Sequence, residues 1–290
     1  MKCTKVKILT SHGVGRMFEY YNSKFCDIDG YEFIYTNDLR DCDVCVVYAE
    51  GGFNSLRIAT NAKKRICFTG EPSVIYRYSP DFLRQFTDVV TSQCEVLAYS
   101  GFTPHIYCQS LPIMIGFNVE NGELDESESE ATFSNVEKTK LISAVCSAKV
   151  ITEQHRKRIE FLRRLKNDVK ELDLYGGAFG KKIPFKDAAL RDYKYTISIE
   201  NVCIPDYWTE KLSDPICSLT QPIYCGCTNI ERYFADICSI DIRNYDESLL
   251  RIKKMIYGVY DMEAMRRRRS RLFSKFSFHS IIVDILEGNI

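Results

Sequence analysis

The chain has 290 residues, 45% of them hydrophobic, enough for two buried cores at the usual scale of roughly 150 residues per domain. Its 39 basic and 39 acidic side chains cancel, so no overall basic field draws it to nucleic acid. No stretch approaches the roughly 18 apolar residues of a membrane span. Met1-Lys2-Cys3-Thr4-Lys5 leads into a short strand pattern rather than the apolar run of a secretory leader, and a soluble, cytoplasmic protein is expected.

In the first half, compact apolar runs at Val6 to Thr10, Tyr31 to Tyr35, Asp43 to Tyr48, Arg65 to Thr69 and Asp88 to Thr91 predict buried parallel strands alternating with helices. His12-Gly13-Val14-Gly15, after the first of them, supplies only part of a dinucleotide fingerprint. That weakens the reading as an NAD-dependent enzyme. Asp41-Cys42-Asp43 imitates an Asp-x-Asp metal element but precedes its strand, and is read as a turn. Phe68-Thr69-Gly70-Glu71-Pro72 places a carboxylate just past a strand end, where a general base could stand, although Gly-Glu-Pro alone is more often just a turn.

The thirteen cysteines are odd in number, and several lie inside apolar runs such as Val44-Cys45-Val46-Val47 and Ile66-Cys67-Phe68. They are expected to be free thiols in a reducing compartment. Cys42-x-x-Cys45 and Cys225-x-Cys227 lack a second pair at zinc-site spacing, so no metal is expected.

The acidic, Ser-rich stretch Asn118 to Glu137 reads as a linker or exposed loop. A second strand series then begins: Leu141 to Cys146, a helix from about Glu153 to Asn167, and a strand near Leu172 to Tyr175. The expected division is 1–134, 135–262 and a basic amphipathic segment 263–290. Gly176-Gly177-Ala178-Phe179-Gly180-Lys181 is not a P-loop, because it has three residues instead of four before Gly-Lys and Lys182 where Ser or Thr should follow.

The densest chemistry lies further on. Tyr193-Lys194-Tyr195-Thr196-Ile197-Ser198-Ile199-Glu200-Asn201 is an apolar strand ending in Glu-Asn. Pro205-Asp206-Tyr207-Trp208-Thr209-Glu210-Lys211 opens a short helix, for which Asp206 is the candidate N-cap, and Pro222-Ile223-Tyr224-Cys225-Gly226 is the next strand and its Gly turn. In open α/β sheets, ligands sit beyond the carboxyl ends of strands and at helix N-termini, where backbone N–H groups favour an anion. There a carboxylate such as Glu210 could accept from two ribose hydroxyls, and Lys211 suits a pyrophosphate.

This order of residues resembles the donor-binding signature of family 10 glycosyltransferases, the α-1,3/1,4-fucosyltransferases. The resemblance implies a GT-B fold: two Rossmann-like lobes facing across a cleft, the first for the acceptor and the second for the nucleotide, with C-terminal helices. It implies an inverting transfer of fucose from GDP-fucose to a glycan or lipid-linked oligosaccharide hydroxyl, N-acetylglucosamine being the expected acceptor through an α-1,3 or α-1,4 linkage, with no metal. It implies roles for Glu71 as catalytic base and for Arg158, Glu200, Asn201, Tyr207, Glu210 and Lys211 at the donor. In His155-Arg156-Lys157-Arg158-Ile159-Glu160-Phe161-Leu162-Arg163-Arg164-Leu165, Arg158 has the family's spacing to Phe161 and Leu165, with Arg156 as its competitor.

The chain departs from the pattern at Val202, where the family has Ser, and at Cys203-Ile204, while Pro215 should end or kink the helix of Glu210 and Lys211. Another nucleotide sugar, or a non-catalytic sugar-nucleotide or glycan-binding protein on the same scaffold, stays open. The tail from Arg266 to Ile285 is expected to be a closing helix with its charged side solvated; peripheral contact with the inner membrane face is the alternative.

Overall fold

The computed structural model describes residues 3–10, 14–26, 28–49, 52–108 and 113–290. His12 and Gly13 of the partial fingerprint lie outside the described residues. Two compact units are present, Met1–Pro112 with Phe273–Ile290, and Ile113–Leu272.

The first unit is built on a six-stranded parallel sheet, ordered β2-β1-β3-β4-β5-β6, from β1 (Thr4–Thr10), β2 (Tyr31–Tyr35), β3 (Val44–Ala49), β4 (Lys64–Thr69), β5 (Asp88–Thr91) and β6 (Thr103–Ile106). Every residue of β3 is buried, as a central parallel strand covered on both faces must be. Helix α1 (Val14–Phe25) buries Val14, Met17, Phe18 and Tyr21, a stripe of helical spacing, and the short α2 (Pro80–Leu83) is capped by Ser79.

The second unit opens with a small hairpin, β7 (Phe117–Asn118) and β8 (Glu123–Leu124), followed by α3 (Glu126–Ser134). Its parallel sheet has the order β10-β9-β11-β12-β13, from β9 (Lys140–Val145), β10 (Leu172–Tyr175), β11 (Tyr193–Ile199), β12 (Gln221–Cys225) and β13 (Cys238–Ser239). Helices α4 (Glu153–Asp168), α5 (Glu210–Cys217) and α6 (Tyr245–Ile256) complete it. Ile159, Phe161, Leu162 and Leu165 of α4 pack with Ile142, Leu172, Ile197 and Ile223 of the strands in one core cluster.

Several sequence expectations change. The acidic stretch is not a linker, since α3 forms there. Asp125 caps it through the backbone N–H groups of Ser127 and Glu128, Thr132 donates to Asp187 at 2.6 Å, and Arg191 pairs with Glu128. These anchors place 113–134 in the second unit, so the unit boundary falls near 112, earlier than 134. Pro215 does not end α5: the helix runs on to Cys217, because only the bond to the Lys211 carbonyl is forfeited, and Ser218 N–H closes onto Asp214 at 2.9 Å.

Residues 263–290 are not a separate tail either. Helix α7 (Met262–Phe276) carries the chain from the second unit into the first, and α8 (Phe278–Glu287), capped by Ser277, buries Phe278, Ile281, Ile282 and Ile285 there. Phe278 stacks on Phe18 with ring centroids 4.3 Å apart. At about 1.5–3 kcal/mol per fully buried large apolar side chain, such burial holds the helix in place, so the apolar side of this segment is spent inside the protein. Its basic run is only partly solvated: Arg268, 8% exposed, pairs with Asp236 at 2.6 Å, and Arg269 donates to the Phe133 and Cys217 carbonyls. No helix among the described residues is long and apolar enough to cross a membrane. All thirteen cysteines are free.

Candidate functional site

A cavity of about 310 Å³ opens in the second unit at the carboxyl ends of β9 and β11, beside the first turns of α4 and α5. Its polar lining includes Ser147, Lys149, His155, Arg158, Lys186, Asn201, Glu210 and Lys211. Chain direction explains the gathering: parallel strands end together, and the helices that follow begin there.

The turn after β9 is held close to the turn after β10 by Gly176. At φ 98° it occupies a conformation that suits glycine, and an added Cβ would lie 2.3 Å from the Cys146 carbonyl oxygen. Ser147, the next residue, accepts from Arg158 Nη2 at 3.0 Å, while Arg158 Nη1 donates to Asn201 Oδ1 at 2.7 Å. Arg158 is 4% exposed, and its buried Nε has no hydrogen-bond partner among the described residues. A guanidinium that lines a cavity is suited to an anion. Arg156 is exposed on the other side of α4.

On the α5 side, Thr209 rather than Asp206 is the N-cap. Asp206, at φ 57°, instead accepts from Arg232 at 2.9 Å, Asn229 at 3.1 Å and Tyr233 at 2.5 Å. The cap is fixed from beneath by Glu200, which is fully buried and receives the Thr209 N–H at 2.8 Å and its hydroxyl at 2.8–2.9 Å. Glu200 therefore anchors the start of α5 and does not line the cavity; Tyr207, 4% exposed, does not line it either. Gly226 is needed at this point, because a Cβ there would lie 2.4 Å from Glu200 Cγ.

Lys211 Nζ stands 3.0 Å from Glu210 Oε1 and 3.5 Å from Glu200 Oε2. Lys186 reaches Asp214 at 2.7 Å and Glu210 at 3.8 Å. Burial would raise the Glu210 carboxyl, but these two ammonium groups overcome it and hold the group at about 2. Glu210 is thus an ionised acceptor at neutral pH, as ribose hydroxyls would require. Burial dominates at Glu200, which is pushed up despite Lys211, and at Asp214, pushed up to about 6 despite Lys186. Among the described residues no group of three or more His, Cys, Asp or Glu is placed to hold a metal ion. Lys149, Arg158, Lys186 and Lys211 are the basic side chains that line the cavity besides His155.

Four of the residues expected at the donor, Arg158, Asn201, Glu210 and Lys211, are brought together. Glu71 belongs to the first unit, just past β4, where its N–H approaches the Tyr78 hydroxyl at 3.3 Å and its carbonyl accepts from Gln93 at 2.7 Å. His155, Lys149 and Lys186, which line the cavity, and Asp214, which pairs with Lys186, are not among the residues expected from the sequence. His155 had a signal in its position three after Thr152; Lys186 and Asp214 had none, since their pairing joins separate elements.

Residues 135–267 match the family model described as Glycosyltransferase family 10 (fucosyltransferase) C-term. A search of curated proteins returns no match. Among solved structures, an alpha1,3-fucosyltransferase with GDP-fucose is similar at 18% identity over 99% of this chain and 90% of that one, with a TM-score of 0.54. The trehalose-6-phosphate synthase OtsA is similar at 8% identity over 85% of this chain and 72% of that one (TM-score 0.54). A point mutant of S. aureus TarM, in complex with fondaparinux, alpha-GlcNAc-glycerol and UDP, is similar at 10% identity over 93% of this chain and 57% of that one (TM-score 0.53). At these identities the likeness is one of fold, the α/β architecture of GT-B glycosyltransferases.

Proposed function

We propose that this chain, whose residues 135–267 match the C-terminal model of family 10 glycosyltransferases, takes fucose from GDP-fucose and transfers it to a hydroxyl of a glycan acceptor, with N-acetylglucosamine the first candidate and inversion at the anomeric carbon. The observation that carries the reading is the convergence of Arg158, Asn201, Glu210 and Lys211 on one cavity at a helix N-terminus and two strand ends. GDP-fucose and GDP are named with the similar fucosyltransferase structures. In this reading Glu210 accepts from the ribose hydroxyls. Arg158 and Lys211, which line the cavity, face the diphosphate.

Glu71 is the proposed general base. It removes the proton from the acceptor hydroxyl as that oxygen attacks the anomeric carbon; the bond from carbon to the diphosphate oxygen breaks, and its electron pair leaves with GDP. The negative charge growing on the diphosphate is met by fixed cations already desolvated by the protein, so no metal is called for in this scheme. Glu200 and Tyr207 support the reaction from behind, Glu200 by holding the α5 cap.

A thermal-shift panel of GDP, UDP, CMP and dTDP tests the donor. A ligand that binds only the folded state raises the melting temperature, and GDP should raise it most. A larger rise with another nucleotide would reassign the donor.

A further inference from the structure

His155 is 2% exposed, yet its side chain borders the cavity. It occupies the third position of α4 in a capping box with Thr152: its backbone N–H donates to Thr152 Oγ1 at 3.3 Å, and its ring Nδ1 receives the Thr152 backbone N–H at 3.3 Å. The Thr152 hydroxyl lies 2.6 Å from the same Nδ1. A ring nitrogen that accepts a backbone N–H cannot carry a hydrogen in the neutral ring, so the helix cap itself selects the tautomer. The hydrogen is left on Nε2, which has no hydrogen-bond partner among the described residues. One turn later on the same helix stands Arg158, whose buried Nε is likewise unmet.

We propose that His155 is a further donor-binding residue, its Nε2–H directed at the diphosphate of the nucleotide sugar beside Arg158. The assignment rests on the reading of the cavity as the donor site and goes beyond it, because a histidine adds a titratable contact to the permanent ones. The charged groups around the ring are Arg158 on its own helix, Lys149 in the turn before it and Lys211 from α5, with Glu210 and Lys186 on the same cavity. Burial, and then the cations Arg158, Lys211 and Lys149, push the imidazole below its ordinary value, so it is neutral at pH 7 without ligand. A bound diphosphate reverses the local field and favours the imidazolium. Binding should therefore take up protons and tighten as pH falls.

Calorimetric titration of GDP, in two buffers of different ionisation enthalpy and between pH 8 and 6, reads this directly. His155→Gln is the informative variant, since Gln at the third helix position keeps the capping-box acceptor and should leave the melting temperature unchanged. Loss of a hydrogen bond to a charged group predicts roughly tenfold weaker binding of GDP. The wild-type chain should take up more protons than the variant; titration of GDP itself is common to both and cancels. Equal proton uptake with affinities within twofold would overturn the assignment of His155, whereas failure of GDP to bind the wild-type chain would overturn the donor site itself. If His155→Gln loses stability, His155→Ala is compared for the same difference in proton uptake.

Discussion

Replacing Lys211 with Met separates the structural from the ligand-binding work of that residue. The side chain is 23% exposed and its ammonium balances Glu200, which is fully buried, and Glu210. Removing one member of a buried ion pair costs about 3–5 kcal/mol, because the other charge is stranded; partial exposure of Lys211 argues for the lower end, about 3 kcal/mol at pH 7. The pH dependence follows from two groups. Glu200 is raised in the folded chain by burial and rises further without Lys211, so the folded variant binds more protons than the unfolded chain above the unfolded glutamate value of about 4.3, and its stability falls as pH rises. Glu210 is held at about 2 largely by Lys211, against its burial; that stabilising depression, present above the unfolded value and lost below it, is largely removed. Between pH 8 and 5 the Glu200 effect makes the penalty shrink on acidification, by up to about 1.4 kcal/mol per pH unit, whereas the Glu210 part stays constant there and fades only below about 4.3. Urea unfolding at pH 8, 7 and 5 measures it, and adding Glu200→Gln to the variant should restore part of the loss at pH 7. A Lys211→Met chain as stable as wild type at pH 7, or one whose penalty grows at pH 5, would refute the reasoning.

Other outcomes follow from the same geometry. Arg158→Ala and Lys211→Ala should each raise the GDP dissociation constant roughly ten- to a hundred-fold, with the double variant losing less than the sum, whereas exposed Arg156 should be replaceable by Ala with little change; calorimetric titration decides. Glu71→Gln should lower turnover by on the order of 10²- to 10⁴-fold while GDP-fucose affinity is kept, and a loss of only a few-fold would remove Glu71 from the chemistry. Gly176→Ala should cost about 2–4 kcal/mol in urea unfolding and weaken GDP binding, since the turn carrying Ser147 must move away from Cys146; a neutral result would mean that the turn yields freely.

Much of the fold was legible because buried parallel strands leave dense apolar runs. The expected Tyr31 to Tyr35, Asp88 to Thr91 and Leu172 to Tyr175 are the observed strands to the residue. Helix α3 escaped notice because its buried side chains include Ser129 and Thr132, and its anchor, Asp187, lies 55 residues beyond Thr132. At the site, Arg158, Glu210 and Lys211 could be read from residue type and spacing. Glu200 could not be placed, since a carboxylate just past a strand end faces the cavity or the helix cap behind it according to a backbone turn that residue type does not encode. Lys186 and Asp214 meet only when the 3₁₀ turn at Lys186–Ala189 comes against α5, a contact no local pattern announces.

Incubating the chain with GDP-fucose and an oligosaccharide ending in N-acetylglucosamine, in the presence of EDTA, and following the product by NMR reads the proposed transfer directly. The expected result is a fucosylated product of anomeric configuration opposite to the donor, formed with equimolar release of GDP. A product that retains the donor configuration, or transfer that occurs only from a different nucleotide sugar, would contradict it.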